Sequence, residues 1–222
     1  MTTAAARKVK PYRGIGMEGV IATWYAKSTG KNTAEFERLA KRIAAELEPG
    51  SRVLEVAPGP GYLAVALSQL GYQVTGIDVS RSFVRIAREN AMRAGVTVDF
   101  REGDAAAMPF AAGVFDFVVC RAAFKNFGDP GGALSEMHRT LRGGATALIV
   151  DLRKDASAKV IADEVAKMNL GPVDAFATRT TLSLLTRRAY SRLDFERMAQ
   201  ASPFARCDIV EGPLGFEISL VK

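Results

Sequence analysis

The apolar positions along this chain fall into two spacings, and their alternation predicts the elements. Short, nearly unbroken apolar runs at Val53–Val56, Phe115–Arg121 and Ala145–Asp151 have the composition of strands buried on both faces. Between them the apolar residues return at helical spacing. Phe36, Leu39, Ile43 and Leu47 share one face of a helix that Asn32 and Glu35 open as a capping box and Pro49-Gly50 ends. Tyr62 to Leu70 is a second helix, stopped by Gly71, and a strand from Gln73 to Ile77 runs into Asp78. Ser80 caps a third helix reaching Ala94, and Asp129-Pro130 starts a fourth with Leu134, Met137 and Leu141 on its buried face. Val96–Glu102 alternates apolar and polar, as a strand nearer a sheet edge does. Ala205–Glu211 and Phe216–Val221 also alternate, and their link, Gly212–Gly215, is so short that the pair must be antiparallel. The expected fold is α/β: a Rossmann-like, mostly parallel seven-stranded sheet with helices on both faces and its last strand antiparallel.

Two stretches escape the pattern. Residues 1–31 hold few periodic cues but carry Tyr12, Trp24, Tyr25 and Lys27, too aromatic for a disordered tag; they read as a packed tail or a lid. Leu152 to about Leu193 does not fit a simple crossover helix. Residues 157–168 are helical in pattern, Gly171-Pro172 interrupts, Thr178–Arg188 resumes, and a second helix ends near Ala201. An insertion there leaves the sheet at its carboxyl edge, where an α/β protein gains a substrate cover.

Composition narrows the classes. At 222 residues the chain suits one α/β domain, residues 32–222, behind the N-terminal segment. No apolar run reaches the length of a membrane span, and the first residues lack the apolar core of a signal peptide. Cys120 and Cys207 are too few for a disulfide scaffold, and one His without a Cys cluster argues against a metal site, so a cytoplasmic protein is expected. The net charge of +6 raises the question of nucleic acid, and Arg81, Arg85, Arg88 and Arg93 do make one helix basic. With no aromatic-studded basic strand and no zinc module, the arginines read as a solvated surface.

The chemistry gathers between Arg52 and Asp78. Ala57-Pro58-Gly59-Pro60-Gly61 joins the first strand to its helix. Glycines at 59 and 61 remove Cβ atoms, so a ligand can lie against bare N–H groups at a helix N-terminus. Asp78 brings a carboxylate to the same crevice, where a ribose diol can donate to it. Residues 59–64 formally satisfy the dinucleotide pattern G-x-G-x-x-G/A, which leaves a nicotinamide enzyme open. Glu55 tilts the choice: an acid within the first strand would repel a pyrophosphate and suits a ligand bearing an ammonium and a sulfonium.

Glu55 to Gly61 resembles the E/D-x-G-x-G-x-G first motif of class I S-adenosylmethionine-dependent methyltransferases, with Ala57 where Gly is usual. That resemblance implies the sheet order 3-2-1-4-5-7-6 and S-adenosylmethionine as cofactor. It implies cofactor contacts from Tyr25, Glu55, Ala57, Pro58, Gly59, Gly61, Asp78, Val79, Asp104, Ala105 and Arg121, with Asp104 accepting from the adenine amino group. Asp104 by itself reads equally as a helix N-cap for Ala105–Met108. Within the class, the chain is most similar to the ubiquinone/menaquinone C-methyltransferase-like branch acting on small molecules. Phe124-Lys125-Asn126 stands where that branch carries Leu-Arg-Asn, and Leu141–Gly144 matches its usual helix ending. Arg121, Lys125 and Asn126 are then candidates to orient an acceptor, with Trp24 and Phe124 as apolar walls; no general base is named. No Asn/Asp-Pro-Pro-Tyr follows the fourth strand, against a nucleobase amino acceptor, and Cys120 lacks the Pro before it of cytosine C5 methylases. A Tyr-x-x-x-Lys pair, used by many nicotinamide reductases, is absent. The expected activity is methyl transfer to a small molecule, with an RNA or protein methyltransferase, then an NAD-dependent oxidoreductase, as alternatives.

Overall fold

The apolar runs lie side by side in one seven-stranded sheet, ordered β3-β2-β1-β4-β5-β7-β6, in a computed structural model that describes residues 12–13, 16–30 and 33–222. The strands are β1 Arg52–Val56, β2 Gln73–Asp78, β3 Asp99–Glu102, β4 Phe115–Arg121, β5 Leu141–Leu152, β6 Arg206–Glu211 and β7 Gly215–Val221. The first five pair in parallel, while β7 runs antiparallel to both β5 and β6. The expected order and the expected reversal are both present.

Residues of period two divide the core between the two faces of the sheet. Val53 of β1 with Phe117 and Val119 of β4 pack beneath α2 (Ala34–Ala44), α3 (Tyr62–Gln69) and α4 (Arg81–Arg93), against Leu39, Ile43, Leu63, Leu67 and Val84. Leu54, Val56, Val118 and Cys120 face the other way, against Leu134 and Met137 of α5 (Pro130–Thr140) and Phe195 of α8 (Arg192–Gln200). Cys120 is fully buried there, as a strand residue of the core. His138 on α5 stacks edge-on against Phe204 at 5.1 Å, and burial lowers its pKa; its role is packing.

Several boundaries differ from expectation, each for a tertiary reason. Residues 19–29 form a helix, α1 (Gly19–Thr29), with only Ala22 and Ala26 buried, so no apolar stripe announced it. α2 stops at Ala44, short of Leu47, and begins after Thr33; the Asn32 half of the expected capping box lies outside the described residues. β3 is four residues long rather than seven. β5 begins at Leu141, not Ala145, because Leu141 is fully buried and pairs with Phe115 before the register shifts through the glycines. The insertion comprises α6 (Ala158–Lys167) and α7 (Pro172–Arg188); α8 follows as a separate helix, opened by a capping box at Ser191 and Asp194. Among the described residues no helix is long and apolar enough to cross a membrane, and no His, Cys, Asp and Glu cluster could hold a metal ion.

Candidate functional site

The turn after β1 is held by its own backbone: Ala57 N–H donates to Ile77 O of β2 at 2.8 Å, and within the turn Gly61 N–H donates to Pro58 O at 3.0 Å. Three residues of the turn take positive φ, Ala57 at 56°, Gly59 at 55° and Gly61 at 78°. Ala57 therefore holds a conformation that costs an L residue energy and a glycine none. The two glycines serve different ends. A Cβ on Gly59 would meet only the Phe83 ring, at 3.9 Å, so its backbone faces open space. A Cβ on Gly61 would stand 2.7 Å from Phe100 Cζ and 2.9 Å from Ala87 Cβ, inside the core. Gly61 lets α3 pack against β3 and α4; it does not clear room for a ligand, which corrects the expectation for that residue.

Two carboxylates flank the turn. Asp78 is buried, its Oδ2 accepting from Gly59 N–H at 3.0 Å and its Oδ1 from Ser80 N–H at 2.9 Å. Burial outweighs these amides and pushes its pKa up to about 6. Glu55 is 3% exposed and accepts from the backbone of Ala64, yet its Oε2 has no partner, alone among the buried side-chain N and O atoms of the described residues. Burial pushes it up to about 8, against the pull of the Arg121 charge. A buried, orphaned carboxylate oxygen in the strand that leads into a bare glycine turn fits a ligand with an ammonium group and fits a pyrophosphate badly. The two carboxylates and the open Gly59 backbone thus fit S-adenosylmethionine.

The other expected contacts ring the carboxyl ends of the strands. Val79 is exposed next to Asp78. Asp104 caps a turn rather than a helix: its Oδ1 accepts from Ala106 N–H at 2.9 Å, and Ala105 beside it is half-buried against the core. Arg121 ends β4 with an ion pair to Glu35 at 2.8 Å and its guanidinium 4.4 Å from the centre of the Phe36 ring. Tyr25 meets Phe83 edge-on at 5.7 Å, within electrostatic reach of Arg121 and Asp151, and burial raises its phenol.

The expected acceptor residues are placed differently. Trp24 is 67% exposed on α1. Phe124 is fully buried, stacked among Phe127, Tyr190 and Phe195, and so lies in the core beneath the loop instead of forming a wall. Lys125 turns inward too. Its Nζ donates to Asp151 Oδ1 at 2.8 Å and to Ala122 O at 2.5 Å, and its N–H to Asp151 Oδ2 at 2.9 Å, with both side chains buried. This pair braces the loop after β4 against the end of β5. Asn126 is half-buried, and its carbonyl receives Arg13 N–H at 3.0 Å.

That last bond shows where the described residues of the N-terminal segment go; the rest of residues 1–31 lies outside the described residues. Met17 O accepts from Ser80 Oγ at 2.5 Å, Gly19 N–H donates to Ser82 Oγ at 2.9 Å, and the Glu18 carboxylate accepts from Ser82 N–H at 3.1 Å. At the other end, Arg188 Nη2 donates to Arg13 O at 2.7 Å and Arg13 Nη1 to Tyr190 Oη at 3.2 Å. Residues 16–19 are thus anchored beyond β2, while Tyr12 and Arg13 lie beyond β4 and β5, against the end of the insertion. Tyr12 is within electrostatic reach of Asp78, Tyr25, Arg188 and Asp151, and burial with the Asp78 charge pushes its phenol up to about 12. Sequence reasoning marked Tyr12 but not Arg13, Arg188 or Tyr190; partners 175 positions apart leave no local signal. A groove of about 350 Å³ between α8 and β6, lined in part by Arg192, Glu196, Phe204 and Cys207, holds none of the crevice residues.

Comparison with known proteins agrees with this geometry. Residues 54–149 match the family model described as a methyltransferase domain. The chain is 37% identical over 118 residues to a demethylmenaquinone methyltransferase of Thermus thermophilus, covering 52% of this chain and 53% of that protein. It is 33% identical over 135 residues to a ubiquinone biosynthesis O-methyltransferase of Xanthomonas campestris, covering 59% and 54%. It therefore spans about half the length of these curated relatives. A crystal structure of a Methanococcus maripaludis protein titled a putative S-adenosyl-L-methionine-dependent methyltransferase superposes with TM-score 0.73 over 96% of both chains at 19% identity, a likeness of fold.

Proposed function

From the match of residues 54–149 to a methyltransferase-domain model, we propose that this protein is an S-adenosylmethionine-dependent methyltransferase acting on a small-molecule acceptor. The observation that carries the reading is the orphaned Glu55 Oε2 in the strand before the turn, together with the open Gly59 backbone that Asp78 holds. Asp78 would receive the ribose hydroxyls; Asp104, Ala105 and Val79 would border the adenine; Glu55, Tyr25 and Arg121 would face the amino-acid end, with Ala57 and Pro58 shaping the turn. Bound there, the cofactor supplies a methyl group made electrophilic by its sulfonium. The chain's own task is to hold the acceptor atom in line with the bond that breaks and to keep water out.

For that task residues 12–13 and 16–30 and the 152–193 insertion act as one cover over the crevice; residues 14, 15 and 31 of the expected lid lie outside the described residues. The bonds from Arg13 to Asn126 and from Arg188 to Arg13 support this reading. A cytoplasmic setting accompanies it, supported by two free cysteines. Calorimetric titration with S-adenosylmethionine, S-adenosylhomocysteine and NAD tests the proposal; binding of NAD with neither sulfur compound bound would overturn it. Labelled methyl transfer to phenols, quinols, thiols and amines then identifies the acceptor atom.

A further inference from the structure

The acceptor half of the crevice, over the carboxyl ends of β4 and β5, carries an uncompensated positive charge. Arg121 is answered by Glu35, Lys125 by Asp151, and Arg153 by Asp155 and Glu211. Asp194, which reaches Tyr190 electrostatically, is committed to the Ser191 cap, accepting from its N–H at 2.9 Å and its hydroxyl at 2.7 Å. Arg13 and Arg188 have no carboxylate within ion-pair distance among the described residues. Both are nonetheless held in place, Arg188 by the Arg13 carbonyl and Arg13 by the Tyr190 hydroxyl and the Asn126 carbonyl. Around them stand the phenols of Tyr12 and Tyr190, the first between the Asp78 and Asp151 ends of the sheet. Two planar forks of donors with fixed backbones and no internal anion are arranged to receive one from outside.

Building on the methyltransferase reading, we propose that the acceptor is a small molecule bearing a carboxylate, gripped by Arg13 and Arg188 while its nucleophilic atom faces the cofactor. The tyrosines supply neutral hydroxyl donors and ring faces to the rest of the molecule. Charge-assisted bonds to two guanidinium groups give an acid an advantage of roughly tenfold or more over its uncharged amide. The same placement explains why the N-terminal segment belongs to the site: it contributes one of the two cations.

The test uses the full chain saturated with S-adenosylhomocysteine. It is titrated with three matched pairs: 3,4-dihydroxybenzoate, cinnamate and indole-3-acetate, each against its own carboxamide. The expected result is tenfold or greater preference for the acid in at least one pair. Arg13→Ala and Arg188→Ala should each cut that preference at least fivefold, Arg188→Lys should restore part of it, and S-adenosylhomocysteine affinity should stay as in the parent. Equal binding, no detectable binding of any acid, or a preference that survives both alanine variants overturns the proposal. Failure to bind S-adenosylhomocysteine would instead strike at the methyltransferase reading.

Discussion

Replacing Glu55 with Gln should make the protein's stability markedly less sensitive to rising pH between that residue's ordinary pKa of 4.5 and its folded value of about 8. Glu55 is buried with a pKa of about 8, against its ordinary 4.5. Below pH 4.5 the group is protonated whether the chain is folded or not, so it contributes no pH dependence. Between 4.5 and 8 the unfolded chain ionises while the folded one keeps its proton, and stability falls as pH rises. With about 1.4 kcal/mol per pKa unit, the group costs roughly 1 kcal/mol at pH 5 and about 4 at pH 8. The loss across that interval is about 3–4 kcal/mol, and a chain of this size shifts about 2–4 °C per kcal/mol. Melting temperatures of the parent and Glu55→Gln, measured without cofactor from pH 5 to 8, should therefore diverge by about 7–14 °C, the variant holding steadier. Asp78, also raised, to about 6, titrates in both proteins and cancels in the difference. Saturating S-adenosylhomocysteine should narrow the gap, because its ammonium gives the ionised form a partner. Parallel profiles would mean that Glu55 is not held neutral, and the argument from its orphaned oxygen would fail.

Asp78→Asn should weaken S-adenosylhomocysteine binding roughly tenfold to hundredfold by calorimetry, since each lost charge-assisted bond is worth about 1.5–3 kcal/mol; unchanged affinity in a folded variant removes the ribose assignment. Gly61→Ala places a Cβ 2.7 Å from Phe100 and keeps φ at 78°, so it should cost about 2–4 kcal/mol of stability in urea denaturation. A stable variant that merely binds less would show that the position serves the ligand after all. Lys125→Met removes the ammonium partner of buried Asp151 and leaves it only the backbone amides of residues 125 and 152, at about 3–5 kcal/mol. Adding Asp151→Leu should recover most of that stability, and additive losses would refute the brace.

The glycine turn, the strand runs and the antiparallel ending were legible because each is written locally, in φ requirements or in period two. Gly61 was legible as indispensable, but its reason was not, since Phe100 lies 39 positions away in β3. Lys125 resembled an exposed loop cation because its partner, Asp151, is 26 residues further on. α7 buries only Thr186, so its sequence had no face to declare. Asp104 was legible as a cap, but it caps a turn and not the expected helix over Ala105–Met108. Trp24 shows the converse error: a large aromatic in a helix that buries only small residues stays outside.

The position of β7 governs the order in which the sheet can be assembled. Made after β6, it lies between β5 and β6, and β6 pairs with nothing else. While the ribosome is still producing residues 206–214, the seven registered positions of β5 that β7 will cover remain an open edge, and β6 has no ladder to join. An exposed apolar edge at that stage is a template for another nascent chain. Closure of the sheet therefore waits on the arrival of Gly215–Val221. A synonymous codon change or chaperone depletion that prolongs this interval should raise aggregation without altering the finished protein.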